Sequence, residues 1–370
     1  MLGIMVRETP GMPEQPRLTL SDGQLPVSVL MSIYNNEAYL PAALDSILQQ
    51  TFSDFELIAI DDCSTDDSWE ILTGYAAGDS RIRPIRNPEN IGLTRSLNQG
   101  WALARGKYIA RMDADDISLP SRFAKQVAFM EVHPKVGACG TWTKTIGTST
   151  QNVSSGSINQ YPADDGTIRC WLLFGAGLAH PAVCLRKELF LKAGLFYDNS
   201  YRCCQDYNLW VRSSGYFELA NIPEVLLLYR LHPQQIGQSY NESLRVSNNR
   251  RVWTILFKAL DLDPANEEFA IHEAIYLRRF QTCEFFVEQA ERWLLKLKSA
   301  NEKMSVYDEL ALAKFLGDRW FAICYAATGL GWWTWQKFWQ SPLSQAVNLT
   351  WAEKLKFGLK CGINKNNLRD

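Results

Sequence analysis

One stretch of the sequence, residues 26–67, decides the fold class and reads PVSVLMSIYNNEAYLPAALDSILQQTFSDFELIAIDDCSTDD. It contains two short apolar runs, VSVLMSI from Val27 and FELIAID from Phe55, and each run ends in polar residues. Continuous apolar runs of this length are typical of strands that are buried on both faces of a parallel sheet. Between them, Leu40 and Leu44 recur at helical spacing. The stretch therefore predicts a strand, a helix and a second strand.

The same alternation continues beyond this stretch. Further strands are predicted at RIRPIRN, KYIARMD and VGACGTW, which cover residues 81–87, 107–113 and 136–142. The helices between them are marked by apolar residues on one face, namely Leu97, Trp101, Phe123, Val127 and Met130. Strands that alternate with helices predict an α/β fold with a mainly parallel sheet covered on both faces. In such sheets, ligands bind beyond the carboxyl ends of the strands.

Composition divides the chain into three parts. Residues 1–25 are rich in Pro, Gly and Gln, which predicts a loose N-terminal arm. Residues 26–240 carry the strand and helix pattern and form the predicted main domain. Residues 241–370 have a helical pattern, which predicts a helical C-terminal region rather than a second nucleotide-binding unit.

Charge and cysteine usage exclude some classes of protein. The 38 Lys and Arg residues against 40 Asp and Glu residues give a net charge of -2, which argues against a general nucleic-acid-binding protein. The nine cysteines include no CxxC pair, which favours reduced thiols in a cytoplasmic protein. We expect neither a membrane-spanning helix nor a secretory signal, because no apolar run is long enough.

The most acidic cluster is DADD, residues 113–116, directly after a predicted strand. Two carboxylates separated by one residue can face the same hard cation, and Mg²⁺ or Mn²⁺ prefers such oxygen ligands. The alternative interpretation is a solvated acidic turn before the next helix. Three crowded carboxylates repel one another unless a cation or hydrogen-bond donors accompany them, which favours the metal site.

A second acidic cluster, DDCSTDD, covers residues 61–67 at the end of the second strand. A carboxylate at this place can accept a hydrogen bond from the imide N–H of a nucleobase. The alternative interpretation is helix capping, which accounts for Ser64 to Asp67 more easily than for Asp61 and Asp62.

Taken together and in order, these segments resemble the family 2 glycosyltransferases of the GT-A fold. The resemblance is dense from Pro26 to Gly140 and extends weakly to about His232. It implies a nucleotide-sugar-binding half at residues 26–140 and an acceptor or catalytic half at residues 141–240. It also implies an inverting transfer that depends on Mn²⁺ or Mg²⁺ and takes the sugar from a nucleotide-diphospho-sugar, with a UDP-linked sugar as the expected donor. The implied acceptor is a glycan or a lipid-linked acceptor, in surface polysaccharide or lipid-linked glycan synthesis.

The resemblance assigns several residues to the nucleotide sugar. Tyr34 matches the aromatic residue that packs on the nucleobase, and Asp62 matches the carboxylate that binds the base imide. Glu37 lies where relatives contact the nucleoside. Arg95 matches a common basic position near the acidic loop, where a binding role and a structural salt bridge are both open.

The remaining assignments concern the metal and the chemistry. Asp113 and Asp115 match the DxD motif, with Asp115 as the direct metal ligand and Asp113 nearer the ribose. His232, in the YRLH segment, matches a residue that approaches the metal or the diphosphate. Asp206 in QDYNLW matches the catalytic base, although Gln205 stands where Glu is usual. The alternative interpretations are a helix N-cap for Asp206 and a loop histidine for His232.

His180 matches a segment on the acceptor side in many relatives, and an ordinary loop histidine is the alternative interpretation. Two other enzyme classes fit less well, because a nucleotidyltransferase would carry a Gly-rich basic loop and a dehydrogenase would carry GxGxxG after the first strand. The segment SIYNNEAYL, residues 32–40, has neither. A nucleotide-sugar-binding module without turnover stays open.

The C-terminal region is unusually rich in tryptophan and lysine. Apolar residues recur there at helical spacing, namely Trp332, Trp335, Trp339, Trp351, Leu355 and Leu359, with Lys337, Lys354, Lys356 and Lys360 nearby. Such helices can lie in a membrane interface, which would make the enzyme peripheral on the cytoplasmic face. They can equally pack against the catalytic domain or a sister subunit. The sequence leaves this choice and the oligomeric state open.

Overall fold

The computed structural model describes residues 25–147, 156–235 and 242–363. The predicted N-terminal arm lies outside these residues except for Leu25. One sheet contains the strands β1 Val27–Ile33, β2 Phe55–Asp61, β3 Ile82–Arg86, β4 Tyr108–Asp113, β5 Ile117–Ser118, β6 Val136–Ile146, β7 Ile158–Asn159, β8 Cys184–Arg186 and β9 Glu218–Arg230.

The helices fall into two groups. Those that connect the strands are α1 Leu40–Leu48, α2 Ser68–Gly78, α3 Leu93–Leu103, α4 Arg122–Val132, α5 Asp165–Leu172, α6 Lys187–Lys192 and α7 Gln205–Ser213. Those that follow the last strand are α8 Glu242–Ala259, α9 Asn266–Tyr276, α10 Glu284–Met304, α11 Glu309–Ala326, α12 Trp332–Gln340 and α13 Trp351–Gly362. No helix in the described ranges combines the length and the apolar character needed to cross a membrane.

The sheet confirms the predicted α/β fold class and the helical C-terminal region. Its strand order is β3-β2-β1-β4-β8-β6-β9-β5, with β7 paired to β6. The first four strands are parallel, as the alternating pattern predicts. The second half is mixed, because β8 runs antiparallel to both β4 and β6 while β9 runs parallel to β6. Beyond the first four strands, the sheet is therefore less parallel than the sequence suggests.

The two faces of the sheet enter different cores. In β1, Val29 and Met31 pack with α1 and α4, whereas Leu30 points to the opposite face. This follows from the two-residue period of a strand, and burial on both faces explains why the run is continuously apolar. The core on the Leu30 side continues through Trp253 of α8 to Phe357 of α13. The C-terminal helices therefore share one core with the sheet.

A buried histidine joins the C-terminal helices to the sheet domain. His272 of α9 is fully buried, and its Nε2–H donates to the carbonyl of Leu173, 2.9 Å away and directly after α5. Its Nδ1 accepts from the indole N–H of Trp293 in α10 at 3.0 Å. Both ring nitrogens are therefore used by the neutral imidazole. Burial lowers the pKa of His272 to about 3.

We predict that acid weakens the fold through His272. Because its pKa is lower in the folded state than in the unfolded chain, the unfolded state takes up the proton first as the pH falls below about 6.5. The free energy of unfolding should therefore fall by up to about 1.4 kcal/mol per pH unit from this group between about pH 6.5 and its folded pKa.

Urea unfolding of wild type and His272→Gln at about pH 7, 6 and 5 checks this expectation. In His272→Gln, the free energy of unfolding should depend on pH less steeply than in wild type, by the amount that corresponds to about one proton. In His133→Gln, which replaces an exposed histidine, the free energy of unfolding should change with pH as it does in wild type. Equal slopes for wild type and His272→Gln would contradict the assignment.

Candidate active site

A cavity of about 520 Å³ opens at the carboxyl ends of β1 and β4. The loop after β1 and the DADD loop form one side, while the start of α7 and the segment after β9 also contribute to its wall. Five residues assigned from the sequence line it together, namely Tyr34, Asp113, Asp115, Asp206 and His232. The cavity therefore brings together the predicted metal ligands, the predicted catalytic base and, of the residues predicted to contact the nucleobase or nucleoside, Tyr34.

Three carboxylates crowd together in the DADD loop. Asp113, Asp115 and Asp116 can each offer an oxygen such that all three lie within 4.8 Å of one another. Burial raises the pKa of Asp113, opposed by an ion pair with Arg111, and the charges of Asp115 and Asp206 raise it further. Burial together with Asp113 and Asp115 raises the pKa of Asp116 well above its usual value. The DADD loop therefore contains more carboxylates than one ion-pair partner, the neighbouring Arg111, can neutralise.

The donor set fits a hard divalent cation. Oδ2 of Asp116 is buried and has no hydrogen-bond partner among the described residues, so one carboxylate oxygen is left to bind something else. Three carboxylates match the oxygen ligands that Mg²⁺ and Mn²⁺ prefer. Asp116 is not among the metal ligands assigned from the sequence. The sequence signal that could have pointed to Asp116 is the third carboxylate of the DADD motif.

His232 contacts the acidic loop through Asp115. Its Nε2–H donates to Oδ2 of Asp115 at 2.9 Å, and its ring lies 4.6 Å from the ring of Tyr39, centroid to centroid. The partner of this ring nitrogen is therefore a carboxylate and not the backbone carbonyl that the alternative interpretation of a loop histidine would supply. In this arrangement His232 orients the carboxylate of Asp115, and its assignment as a metal ligand stays a prediction.

Arg230, at the end of β9, holds the acidic loop in place. Its backbone N–H donates to Oδ1 of Asp116 at 2.8 Å, and its guanidinium Nε–H donates to the carbonyl of Asp115 at 2.7 Å. The guanidinium also stacks over the ring of Tyr39 at 4.9 Å. Arg230 is not among the residues predicted from the sequence, although it lies two positions before His232 in the YRLH segment. Arg230 therefore ties the last long strand to the candidate metal site.

Asp206 lies in the first turn of α7 and lines the cavity. The N-cap of α7 is Cys204, in the left-handed region with φ 60°, so the interpretation of Asp206 as the N-cap is wrong. Burial raises the pKa of Asp206, while the backbone N–H of Tyr207 and the charge of Arg111 oppose the rise. A carboxylate with a raised pKa is a stronger proton acceptor, which suits a general base within reach of a hydroxyl.

His180 also lines the cavity, where its Nε2 lies 2.8 Å from the hydroxyl of Tyr197. Burial and the nearby Arg111 lower the pKa of His180 well below its usual value, which makes the ring neutral. His180 therefore adds a neutral polar group to the wall rather than a second charge.

The carboxylate of Asp62 is buried beneath the loop after β3. It accepts from the side-chain amide of Asn87 at 2.7 Å and from the backbone N–H groups of Ile91 and Gly92 at 3.0 and 2.8 Å. These bonds hold the start of α3 against the end of β2. Asp62 is not among the residues that line the cavity, and its role toward a nucleobase stays a prediction.

Glu37 and Arg95 also lie outside the lining of the cavity. The carboxylate of Glu37 accepts from the backbone N–H of Asp67 at 3.0 Å, while Asp66 accepts from the backbone N–H of Glu37 at 3.0 Å. This pair fastens the loop after β1 to the start of α2. Arg95 is exposed on α3 and makes no salt bridge within the described part of the chain. Their contacts to a nucleoside stay predictions.

Comparison with known proteins identifies the family. Residues 28–192 match the family model Glycosyl transferase family 2. An uncharacterized glycosyltransferase of Haemophilus influenzae is 34% identical over 220 residues, which are 58% of this chain and 68% of that protein. The O-antigen biosynthesis glycosyltransferase WbnJ of Escherichia coli is 34% identical over 221 residues, covering 58% of this chain and 82% of WbnJ.

The likeness of the fold extends into the C-terminal region. The crystal structure of Staphylococcus aureus TarS 1–349 in complex with UDP-GlcNAc aligns with a TM-score of 0.54 at 16% identity. The alignment covers 86% of this chain and 90% of the TarS chain. With the family model and two relatives at 34% identity over most of their length, the chain belongs to glycosyl transferase family 2 and is a glycosyltransferase.

Proposed function

We propose that this glycosyltransferase moves a sugar, with inversion, from a UDP-linked donor to an acceptor hydroxyl. The observation that carries the proposal is one cavity lined by Asp113 and Asp115 of the DADD loop together with Asp206. TarS, which shares the fold, has been solved with UDP and with UDP-GlcNAc, which supports a uridine nucleotide. The similarity to WbnJ supports a glycan or lipid-linked acceptor in surface polysaccharide synthesis.

The donor side of the proposed site is the DADD loop. Asp113, Asp115 and Asp116 would hold the Mn²⁺ or Mg²⁺ ion, which when bound neutralises charge on the departing diphosphate. His232 and Arg230 keep the carboxylate and the backbone of Asp115 in position. These contacts orient the loop before donor arrives.

The acceptor side depends on Asp206. The acceptor oxygen attacks the anomeric carbon, the bond from that carbon to the diphosphate oxygen breaks, and the nucleoside diphosphate leaves with the electron pair. Asp206 takes the proton from the attacking hydroxyl. Attack from the face opposite the leaving group inverts the anomeric centre.

Replacing the proposed base should abolish transfer and spare donor binding. We predict that Asp206→Asn lowers the transfer rate by roughly 10²- to 10⁴-fold, because the amide cannot accept the proton. UDP binding in the presence of Mn²⁺, measured by calorimetry, should stay within about threefold of wild type, since Asp206 makes no proposed contact with the nucleotide.

Asp54→Asn provides the matched control, because Asp54 is exposed before β2 and away from the cavity. It should transfer sugar at the wild-type rate. Near-normal turnover by Asp206→Asn would refute the base assignment. Donor binding without any turnover by wild type, across a panel of acceptors, would favour the nucleotide-sugar-binding module instead.

The metal site makes a separate prediction. Mn²⁺ and UDP together should raise the melting temperature of wild type, since a ligand that binds the folded state stabilises it. Asp115→Asn should lose most of this increase, and a chelator should remove both the increase and the transfer activity. Asp54→Asn should respond as wild type does. Full transfer by metal-free enzyme would overturn the proposed metal dependence.

The proposed location is the cytoplasm, peripheral to the membrane. All nine cysteines lie in the described residues and none forms a disulfide, which is consistent with a reducing compartment.

A further inference from the structure

The outer face of α13 is apolar and open to solvent. Trp351, Leu355, Leu359 and Ile363 recur at four-residue spacing and are 80%, 52%, 57% and 70% exposed. Residues four apart lie one above the other on a helix, so these side chains form one continuous stripe. We name these four residues the α13 face.

The opposite side of the same helix is firmly packed. Phe357 is fully buried, with its ring centroid 5.4 Å from that of Phe338 in α12 and 5.6 Å from that of Phe321 in α11. A capping box between Thr350 and Glu353 starts the helix. The inner face therefore fixes the rotation of the helix, and the α13 face points outward as a consequence.

Lysines border the α13 face on both edges. At 100° per residue, Lys354 lies beside one edge of the stripe, and Lys356 and Lys360 lie beside the other. The one acidic residue of the helix, Glu353, is used by Thr350 in the capping box. The border of the stripe is therefore positively charged, which selects a negatively charged partner.

Two exposed tryptophans of α12 extend the same kind of surface. Trp332 is 57% exposed and Trp339 is 39% exposed. Trp339 adjoins α13, because the ammonium of Lys354 lies 5.7 Å from the centre of its ring. Tryptophan, aliphatic and lysine side chains on one surface are the composition of helices that lie in a membrane interface.

We propose that the α13 face binds the surface of an anionic phospholipid bilayer, with its apolar stripe in the headgroup layer and its lysines on the lipid phosphates. A second copy of this chain fits less well, because pairing two such faces brings their lysine borders together.

The α13 face is connected to the wall of the active-site cavity through α11. Phe321 of α11 packs on Phe357. Two and six residues earlier in the same helix, the guanidinium of Arg319 and the ring of Phe315 contact Trp171, which lines the cavity. A bilayer bound at α13 would therefore hold the cavity at a defined orientation to the membrane. That consequence for a lipid-linked acceptor rests on the proposed function, whereas the binding itself does not.

Sedimentation of the full-length chain with vesicles tests the proposal. Vesicles of phosphatidylcholine with about 25% phosphatidylglycerol should carry most of the protein into the pellet at about 0.15 M salt, and pure phosphatidylcholine vesicles much less. Raising the salt to about 0.5 M should weaken binding, because the lysine contribution is screened. Recovery of wild type in the supernatant with anionic vesicles would overturn the proposal.

Variants at exposed positions make the test specific. Leu355→Glu with Leu359→Glu should lower vesicle binding at least about tenfold, because both apolar contacts are lost and two like-signed charges meet the lipid. Replacing Lys354, Lys356 and Lys360 by Gln should cost about fivefold per lysine in anionic vesicles. Leu310→Glu, at an 82% exposed leucine of α11, is the matched control and should bind as wild type does.

Two further measurements separate this proposal from its rivals. A wild-type dimer that the Leu355 and Leu359 double variant converts to a monomer, without vesicle binding by either, would assign the face to a second copy and overturn the proposal. Asp206→Asn should bind vesicles normally, and the double variant should keep UDP binding. Failure of vesicle binding would therefore leave the sugar-transfer proposal intact, and the reverse also holds.

Discussion

The crowding of three carboxylates at the end of β4 is the constraint around which the site is built. Asp113, Asp115 and Asp116 lie close enough that burial and mutual repulsion oppose ionisation of Asp113 and Asp116. Two strands supply partners for these carboxylates: Arg111 within β4 forms an ion pair with Asp113, and the backbone N–H of Arg230 at the end of β9 donates to Asp116. The acidic loop therefore takes its shape only when both halves of the sheet are assembled, since β4 and β9 are separated by β8 and β6 in the sheet.

This dependence links the DADD loop to the second half of the sheet. The first four strands form the parallel part of the sheet, yet Arg230 and His232, which contact the DADD loop, lie more than a hundred positions later in the chain. Asp206 reaches the same cavity from α7, whose first turn follows a left-handed residue at Cys204. The positive φ redirects the chain at the entrance of the helix. A single cavity is thus assembled from both halves rather than from one preformed motif.

The C-terminal helices use aromatic residues in two different ways. Trp253, Trp293 and Phe357 are buried and continue the core of the sheet domain, and His272 adds a hydrogen-bonded connection to α5. Trp332 and Trp351 are largely exposed. Aromatic residues on the inner side of these helices therefore stabilise the packing against the sheet domain. Those on the outer side form part of an apolar surface that is bordered by lysines. Composition does not distinguish these uses, because helical spacing repeats on every face of a helix.

The local amino-acid pattern is enough to predict the strand and helix alternation, the positions of the strand ends and the acidic motifs that follow them. These are local features, set by a two-residue or 3.6-residue period and by the residues at element ends. Three features became visible in the folded chain: β8 runs antiparallel, Arg230 contacts Asp116 across 114 positions, and Asp62 is hydrogen-bonded beneath the loop after β3. The folded chain also shows which tryptophans face solvent. Such contacts depend on the order of strands in the sheet and on how helices rotate against the core. The periodicity of apolar residues within one element contains no information about either.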